Sequence, residues 1–562
     1  MKRMYAFILA AVMLLCCCVG CGKPQGDVSD PVSAPMGDLS TTTTEGTTTT
    51  TEDLSVDNTA TGDVSADTTT TDVSGTNTTT VKPTTQTPTK GSTTTKATTT
   101  TKVTTTTTTK VTTTTTTTAQ TTTKTQSKAK LNGVSLSEYT VVIADYALDY
   151  TLRAAAYICD EIQKRTGVRL EMVSDASEDG PFAHEIVVGE TNRSISKTLD
   201  ADTQGMEFSL MATDGHVAME GDYFVIAAAA YYFIQTYITG ETASTSVPTT
   251  ATVCEPVVKA PKNYIFLIGD GMGVNQTKLF EGFRADVSTD YSDEEKAFYG
   301  YSFPYAGFAR TNSLSGTTDS AAAATALATG YKTTNGRVGR DKDKNDLLSL
   351  TELAGSLGMA TAVMSTESPI GATPGGFSAH ANSRNDSNQL YTSQGELVDR
   401  YGTIISCQYD FYNVYGMELL EENVQKTLTK LSENDKGFFL MYEEAHIDKH
   451  SHSNDAGKTF KALVRFNQAI GLFMEYAFYH PETFVIITAD HETGGLQQNG
   501  SSFTYTTGDH TPQDVPVFAY GVGGELFDGK TIENVQIPKT IARFWGQRLA
   551  ADTDDVYPPL NP

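Results

Sequence analysis

Basic residues are scarce in this sequence. Lys and Arg number 41 against 67 Asp and Glu in 562 residues, a formal net charge of -26. That balance excludes the clustered positive surface that nucleic-acid binding needs. Cysteine is scarce too. Four of the seven sit at Cys16, Cys17, Cys18 and Cys21, which leaves Cys159, Cys254 and Cys407 for everything else. Three scattered thiols exclude a disulfide scaffold. Beyond the N-terminus no apolar run reaches the ~18 residues of a membrane-spanning helix. Charged residues make up only 19 % and hydrophobic ones 38 %. Threonine fills the gap, concentrated before residue 126. Such a stretch cannot bury enough apolar surface to offset the entropy of ordering it. The folded part is therefore expected from about residue 130 onward.

The first 21 residues read as an export signal. Lys2 and Arg3 precede an apolar stretch, MYAFILAAVMLL, too short to cross a bilayer comfortably. Cys18-Val19-Gly20-Cys21 follows it and resembles a bacterial lipobox, with Cys21 as the lipidated residue. The expectation is a lipoprotein held on the outer face of a bacterial cytoplasmic membrane. Residues 22–129 are expected to be a disordered Thr-rich linker, with runs such as TTTTKVTTTTTTKV and no apolar periodicity.

Residues 130–245 read as a small α/β accessory domain. TVVIAD (140–145), RLEMVSD (169–175) and HEIVVGET (184–191) are strand patterns. The stretch 150–167 is a helix pattern, apolar at Ala154, Ala155, Ile158 and Ile162 and closed by Gly167. Residues 216–238 give a strand, a turn and an apolar helix. With the phrase IVVGETNRS, this pattern resembles the N-terminal domain of α-glucuronidase-like enzymes, which implies packing support with glycan or cell-wall contact. Residues 246–260 read as a linker by composition.

The chemistry-bearing residues gather beyond residue 261. Seven of the nine histidines fall there. Three apolar runs end in acidic residues: NYIFLIGDGMG into Asp270, KGFFLMYEEAHIDKHSHS into Glu443, Asp448 and His452, and TFVIITADHETGG into Asp490 and His491. Runs without alternation suit a sheet buried on both faces. In such sheets ligands sit beyond the carboxyl ends of the strands. A further piece, Asp509-His510-Thr511, precedes the strand pattern VPVFAYG. Carboxylate with neutral imidazole suits zinc, and carboxylate with hydroxyl suits magnesium. Asp319 and Ser320 head an Ala-rich helix, where they read equally as an N-cap and as an anion site with a nucleophile.

In order along residues 261–562 stand IGDGMG, TDSAAAATALATG, ATP…HANSR, EEAHIDKHSH, TADHETGG and DHTP. Together they resemble the alkaline phosphatase family. The resemblance implies a three-layer α/β sandwich with a large central, mostly parallel sheet. It implies two zinc ions and one magnesium, acting on small phosphate monoesters. It implies Ser320 as the residue that becomes phosphorylated, Arg384 gripping two phosphoryl oxygens, and Asp319 orienting Arg384. Asp270, Asp490 and His491 match the ligands of one zinc, and Asp448, His452 and His510 those of the other. Thr373, Glu443 and Asp270 match the magnesium ligands, with Lys449 near the phosphate. Relatives are often homodimers, so a homodimer is expected.

The sequence departs from the family pattern at Gly371. Bacterial relatives often carry Asp there and animal ones His, and that side chain belongs to the magnesium surroundings. Its absence is expected to loosen the third metal site and to leave Lys449 without its usual partner. His446 and His450 read as loop residues off the ligand positions, and His380 as a supporting residue. The rival readings are a phosphodiesterase or other hydrolase of the same superfamily, and a non-catalytic wall-binding lipoprotein.

Overall fold

The computed structural model describes residues 127–199, 203–283, 297–407 and 416–549. Residues 1–126, with the expected signal, Cys21 and nearly all of the Thr-rich linker, lie outside the described residues. Among the described residues no helix is long and apolar enough to cross a membrane.

The N-terminal part is a six-stranded sheet backed by helices. Its elements are β1 (Thr140–Ile143), α1 (Asp149–Thr166), β2 (Met172–Ser174), β3 (Glu185–Val188), β4 (Phe208–Thr213), β5 (His216–Glu220), α2 (Ile226–Tyr237) and β6 (Thr252–Cys254). The strand order is β2-β1-β3-β5-β4-β6, parallel as far as β5 and antiparallel beyond it. The segment expected as a linker by composition contributes β6, with Cys254 opposite Phe208. Thr252 and Val253 are β-branched and suit a half-exposed edge strand.

The C-terminal part holds an eight-stranded sheet. Its elements are β7 (Asn263–Gly269), β8 (Tyr305–Arg310), α3 (Ser320–Thr329), α4 (Leu350–Ser356), β9 (Ala360–Ser365), α5 (Ala372–Ser378), β10 (Ile404–Cys407), β11 (Phe438–Glu444), α6 (His446–His452), α7 (Ala456–Tyr479), β12 (Thr483–Thr488), β13 (Val515–Tyr520) and β14 (Thr531–Glu533). The order is β10-β9-β11-β7-β12-β13-β8-β14. Only β13 runs against the rest. All residues of β7, β11 and β12 are buried, as their unbroken apolar runs require. Phe439 and Tyr442 point to opposite faces of β11, because strand side chains alternate. Phe439 stacks on Phe377 of α5, and Tyr442 stacks on Phe466 of α7. Helices therefore cover both faces, which makes the sheet the middle of three layers.

The two parts share one hydrophobic core that runs from Ala129 to Leu549. The stretch around His446 and His450 is not a loop. It forms α6, which puts Asp448 and His452 one helical turn apart on one face.

Candidate active site

The central strands run parallel in matched register, so their carboxyl ends come out together. Gly269 pairs with Glu444, Ile268 with both Glu443 and Thr488, and Ser365 with Glu443. Each strand then turns outward with a polar residue: Asp270 after β7, Thr366 and Glu367 after β9, Asp490 and His491 after β12. Gly271 makes the turn after β7. It has a φ of 73°, and a methyl group there would come within 2.8 Å of Asp448 Cα. No side chain fits either the conformation or the space. The freed backbone lets Gly271 N–H donate to Asp490 Oδ1 at 3.1 Å.

Ser320 is the first residue of α3 and is buried. Asp319 caps the helix: its Oδ1 accepts from Ala322 N–H at 3.0 Å and its Oδ2 from Gly336 N–H at 2.8 Å. The same Oδ2 lies 3.6 Å from Arg384 Nη1. The run Ala321–Ala324 has a spatial reason. A methyl group on Gly376 of α5 would meet Ala324 Cβ at 2.7 Å. Small residues let α3 and α5 pack nearly backbone to backbone, bringing Ser320 and Thr373 to one site.

Two carboxylate–imidazole groups form beside Ser320. The first is Asp270, Asp490 and His491. His491 Nε2 lies 3.2 Å from Ser320 Oγ, 3.1 Å from Asp490 Oδ2 and 3.6 Å from Asp270 Oδ1. This is no serine–histidine–aspartate relay, in which the carboxylate holds the other ring nitrogen. One nitrogen faces all three oxygens, while Nδ1 meets Thr493 Oγ1 at 3.2 Å. The second group is Asp448 and His510 with His491 beside them. His452 joins it: its Nε2 is 3.4 Å from Asp448 Oδ1 and 3.1 Å from His510 Nε2. His510 reaches this point because Thr493 and His510 pair across two short strands.

The tautomers follow from the outer partners. His452 Nδ1 faces the Gly508 carbonyl at 2.6 Å, and His510 Nδ1 faces the Thr318 carbonyl at 2.9 Å. A carbonyl only accepts, so each Nδ1 carries a proton and each Nε2 is turned inward. The two Nε2 atoms and the Asp448 carboxylate then face one another. That arrangement calls for a cation between them.

Glu443 and Thr373 form a third group with Asp270. Glu443 lies close enough to Asp270 for its charge to act there, and Thr373 lies within hydrogen-bond reach of Glu443. Thr373 Oγ1, Glu443 Oε1 and Asp270 Oδ1 are buried without well-formed hydrogen bonds among the described residues. Buried polar atoms left orphaned are costly. Burial first, and then the charge of Asp490, push the Asp270 carboxyl well above its usual range. Burial and Glu367 do the same to Glu443. A cation would relieve both, so the residues fit divalent metals at all three groups.

The structure thus brings together Ser320, Asp319, Arg384, Asp270, Asp490, His491, Asp448, His452, His510, Thr373 and Glu443 along one sheet edge. His450 stays outside the two cation groups. His446 is buried rather than solvated. It sits against Glu444 and Thr366, beside Arg465, whose Nε donates to Glu444 Oε2 at 2.7 Å. Arg465 and His446 overcome the cost of burial and hold the Glu444 carboxyl down at about 2. His380 bridges Glu352 Oε1 at 3.0 Å and the Gly339 carbonyl at 2.8 Å, tying the end of α5 to α4.

Sequence reasoning missed two residues. Thr493 donates to Asp448 Oδ1 at 2.5 Å, and Glu367 accepts from Lys449 Nζ at 2.6 Å. Glu367 carries the same signal as Asp270, an acidic residue just past a buried strand.

Known proteins resemble this chain over its C-terminal part. The family model described as alkaline phosphatase matches residues 261–408 and 417–507. The match stops short of His510. Alkaline phosphatase 3 of Bacillus subtilis is 24 % identical over 408 residues, covering 50 % of this chain and 88 % of that protein. Alkaline phosphatase 4 of the same species is 27 % identical over 331 residues, covering 49 % and 70 %. Among solved structures, alkaline phosphatase from the Antarctic bacterium TAB5 is 26 % identical, with a TM-score of 0.45, covering 51 % of this chain and 98 % of that one. The C-terminal part has a mostly parallel eight-stranded sheet between helices, and the sequence matches support an enzyme of the alkaline phosphatase superfamily.

Proposed function

We propose that this chain is an alkaline phosphatase, a metal-dependent phosphomonoester hydrolase that works through a phosphoserine at Ser320. One observation carries the reading. The buried Ser320 hydroxyl sits at a helix N-terminus, 3.2 Å from the inward nitrogen of His491, with Arg384 held by Asp319. Asp270, Asp490 and His491 would hold one zinc, Asp448, His452 and His510 the other, and Asp270, Thr373 and Glu443 a magnesium. Bound there, these ions supply the positive charge that makes a serine hydroxyl nucleophilic near neutral pH and steadies a departing oxygen.

The chain's own residues do the rest. Ser320 Oγ gives up its proton and forms its bond to phosphorus as the ester bond opposite breaks, and the leaving alkoxide takes up a proton to depart as alcohol. Water then cleaves the Oγ–P bond, restores the hydroxyl and releases inorganic phosphate. The first-turn N–H groups of α3 point at the anion and lower its cost. The planar Arg384 guanidinium meets two phosphoryl oxygens at once. A diester has esterified one of the oxygens it would grip, which favours monoesters. Asp319 fixes the angle of that guanidinium.

The signal and Cys21 support export and lipid anchoring on the outer side of a bacterial membrane as part of this proposal. The two grouped carboxylate–imidazole sites found among the described residues lie in the C-terminal part, which supports a packing role for the N-terminal sheet.

The test is hydrolysis of an aryl phosphate monoester by the full chain from neutral to alkaline pH. Turnover should be abolished by chelator, restored by zinc, and lowered at least ~10³-fold in Ser320→Ala. Preference for an aryl diester or sulfate ester under the same conditions would sink the monoesterase reading.

A further inference from the structure

Gly371 is the N-cap of α5, with a φ of -54° that any residue can adopt. The backbone does not ask for glycine here, and the space a side chain would take is filled by one other side chain. A methyl group on Gly371 would overlap Glu367 Oε1 and come within 2.5 Å of its Cδ and 2.9 Å of its Cγ. The Glu367 carboxylate thus occupies the volume that a side chain at 371 would fill.

Its surroundings are those of the third cation group. Glu367 Oε2 accepts from Lys449 Nζ at 2.6 Å. Ser365 Oγ accepts from Glu367 N–H at 3.0 Å and donates to Glu443 Oε2 at 2.5 Å, so one hydroxyl ties Glu367 to Glu443. The Glu367 charge also acts on Asp270. The carboxylate side chain is mostly buried, at 18 % exposed.

We propose that Glu367 is a positioning residue that supplies, from the strand end, the carboxylate absent at 371, orienting Lys449 and supporting cation binding by Asp270, Thr373 and Glu443. Glycine at 371 and glutamate at 367 are then one device: each is tolerated because of the other. A chain with a carboxylate at both positions would force two like charges into one volume, which is unfavourable sterically and electrostatically. This inference rests on the reading of that group as a divalent-cation site.

Metal content tests it independently of turnover. The full chain, stripped and reloaded, is assayed by equilibrium dialysis for zinc and magnesium, beside Glu367→Gln, Glu367→Ala, Gly371→Asp and the double variant Glu367→Ala with Gly371→Asp. Glu367→Gln keeps the shape and loses the charge. It should hold zinc like the parent and bind magnesium about tenfold more weakly, the usual scale for losing an outer partner of a metal site. Gly371→Asp alone should bind magnesium worse than the parent, and the double variant, with a single carboxylate again in that volume, should recover most of that loss, whereas Glu367→Ala by itself should bind magnesium as weakly as Glu367→Gln. Equal magnesium affinity in parent and Glu367→Gln, or no recovery in the double variant, overturns the proposal. A parent chain that binds zinc but no magnesium overturns the underlying cation-site reading instead, and with it this one. Far-ultraviolet circular dichroism on each variant separates loss of metal from loss of fold.

Discussion

Each site histidine uses its two nitrogens differently, and the outer one decides where the inner one points. For His452 and His510 the outer partner is a backbone carbonyl, which no substitution removes. For His491 it is the Thr493 hydroxyl, which also donates to Asp448. One side chain therefore orients ligands of both expected zinc sites. Thr493→Val keeps the volume and deletes the hydroxyl. The expected outcome is a 10- to 100-fold loss of zinc affinity, roughly the effect of removing an outer metal partner, read as faster zinc loss to a chelator. Unchanged retention would show that Thr493 only fills space. Asp270, Glu443, Asp448, His452, Asp490 and His491 were legible in the sequence as acidic and imidazole side chains following apolar runs, whereas Thr373 and Arg384 took their roles only from the family resemblance. Thr493 was not legible, and Glu367 showed only the strand-end signal, because their roles are through-space partnerships. A motif shows which side chains stand at a strand end, but not which of them face each other across neighbouring strands.

At the scale of elements, α5 is positioned by contact with α3 and by a tie to α4. Gly376 carries the contact. A methyl group there would press Ala324 Cβ at 2.7 Å and its carbonyl carbon at 2.9 Å, and a backbone atom cannot swing aside. Gly376→Ala should therefore cost about 1–3 kcal/mol by overpacking and lower turnover by shifting Thr373 relative to Ser320. Urea unfolding and the aryl phosphate assay check the two halves separately. The His380–Glu352 pair carries the tie. Although burial opposes the charge, Glu352 raises the His380 imidazole above its usual value, and His380 lowers the Glu352 carboxyl. The raised imidazole stabilises the fold fully below its unfolded value of about 6.5 and loses that contribution as pH climbs through its folded value. The lowered carboxyl contributes above about 4.5 and loses that as pH falls through its folded value. The pair thus works in the window between. His380→Gln should cost about 1–2 kcal/mol near pH 6 and less near pH 9; an equal cost at both would remove the charge from the account. The buried strands and the nucleophile helix were legible because unbroken apolar runs and a capping Asp-Ser are strong local signals. β6 and α6 were not. The first is an edge strand of only 3 residues, too short to show a pattern, and the second is held by Asp448, Glu444 and Arg465 rather than by helical propensity.

At the scale of the whole molecule, the N-terminal sheet is joined to the C-terminal one through α7. Arg153 of α1 donates through Nε to both Glu475 oxygens at 2.9 Å and through Nη1 to Glu421 at 2.8 Å. Tyr157 lies against Tyr479, with ring centroids 4.4 Å apart, and Phe224 meets Tyr299 at 4.9 Å. Tyr150 reaches so close to α7 that a methyl group on Gly471 would overlap its hydroxyl. Composition marked residues 246–260 as a linker, and composition cannot show that the faces on either side are apolar and meet. With one core between them, the two parts should unfold together. Arg153→Met is the sensitive probe. It leaves Glu475, already pushed up by burial, without its counter-charge. Because Arg153 is itself partly exposed, the cost should be about 1–3 kcal/mol, below that of breaking a fully buried pair. Trp545, the sole tryptophan, stacks edge-on to Tyr264 and Phe439 and reports only on the C-terminal core. Although Arg153 lies in the N-terminal part, its loss should lower the Trp545 fluorescence midpoint in urea as much as the far-ultraviolet midpoint. If Trp545 holds its parent midpoint while the far-ultraviolet signal falls early, the N-terminal sheet unfolds by itself and the shared core is not a cooperative one.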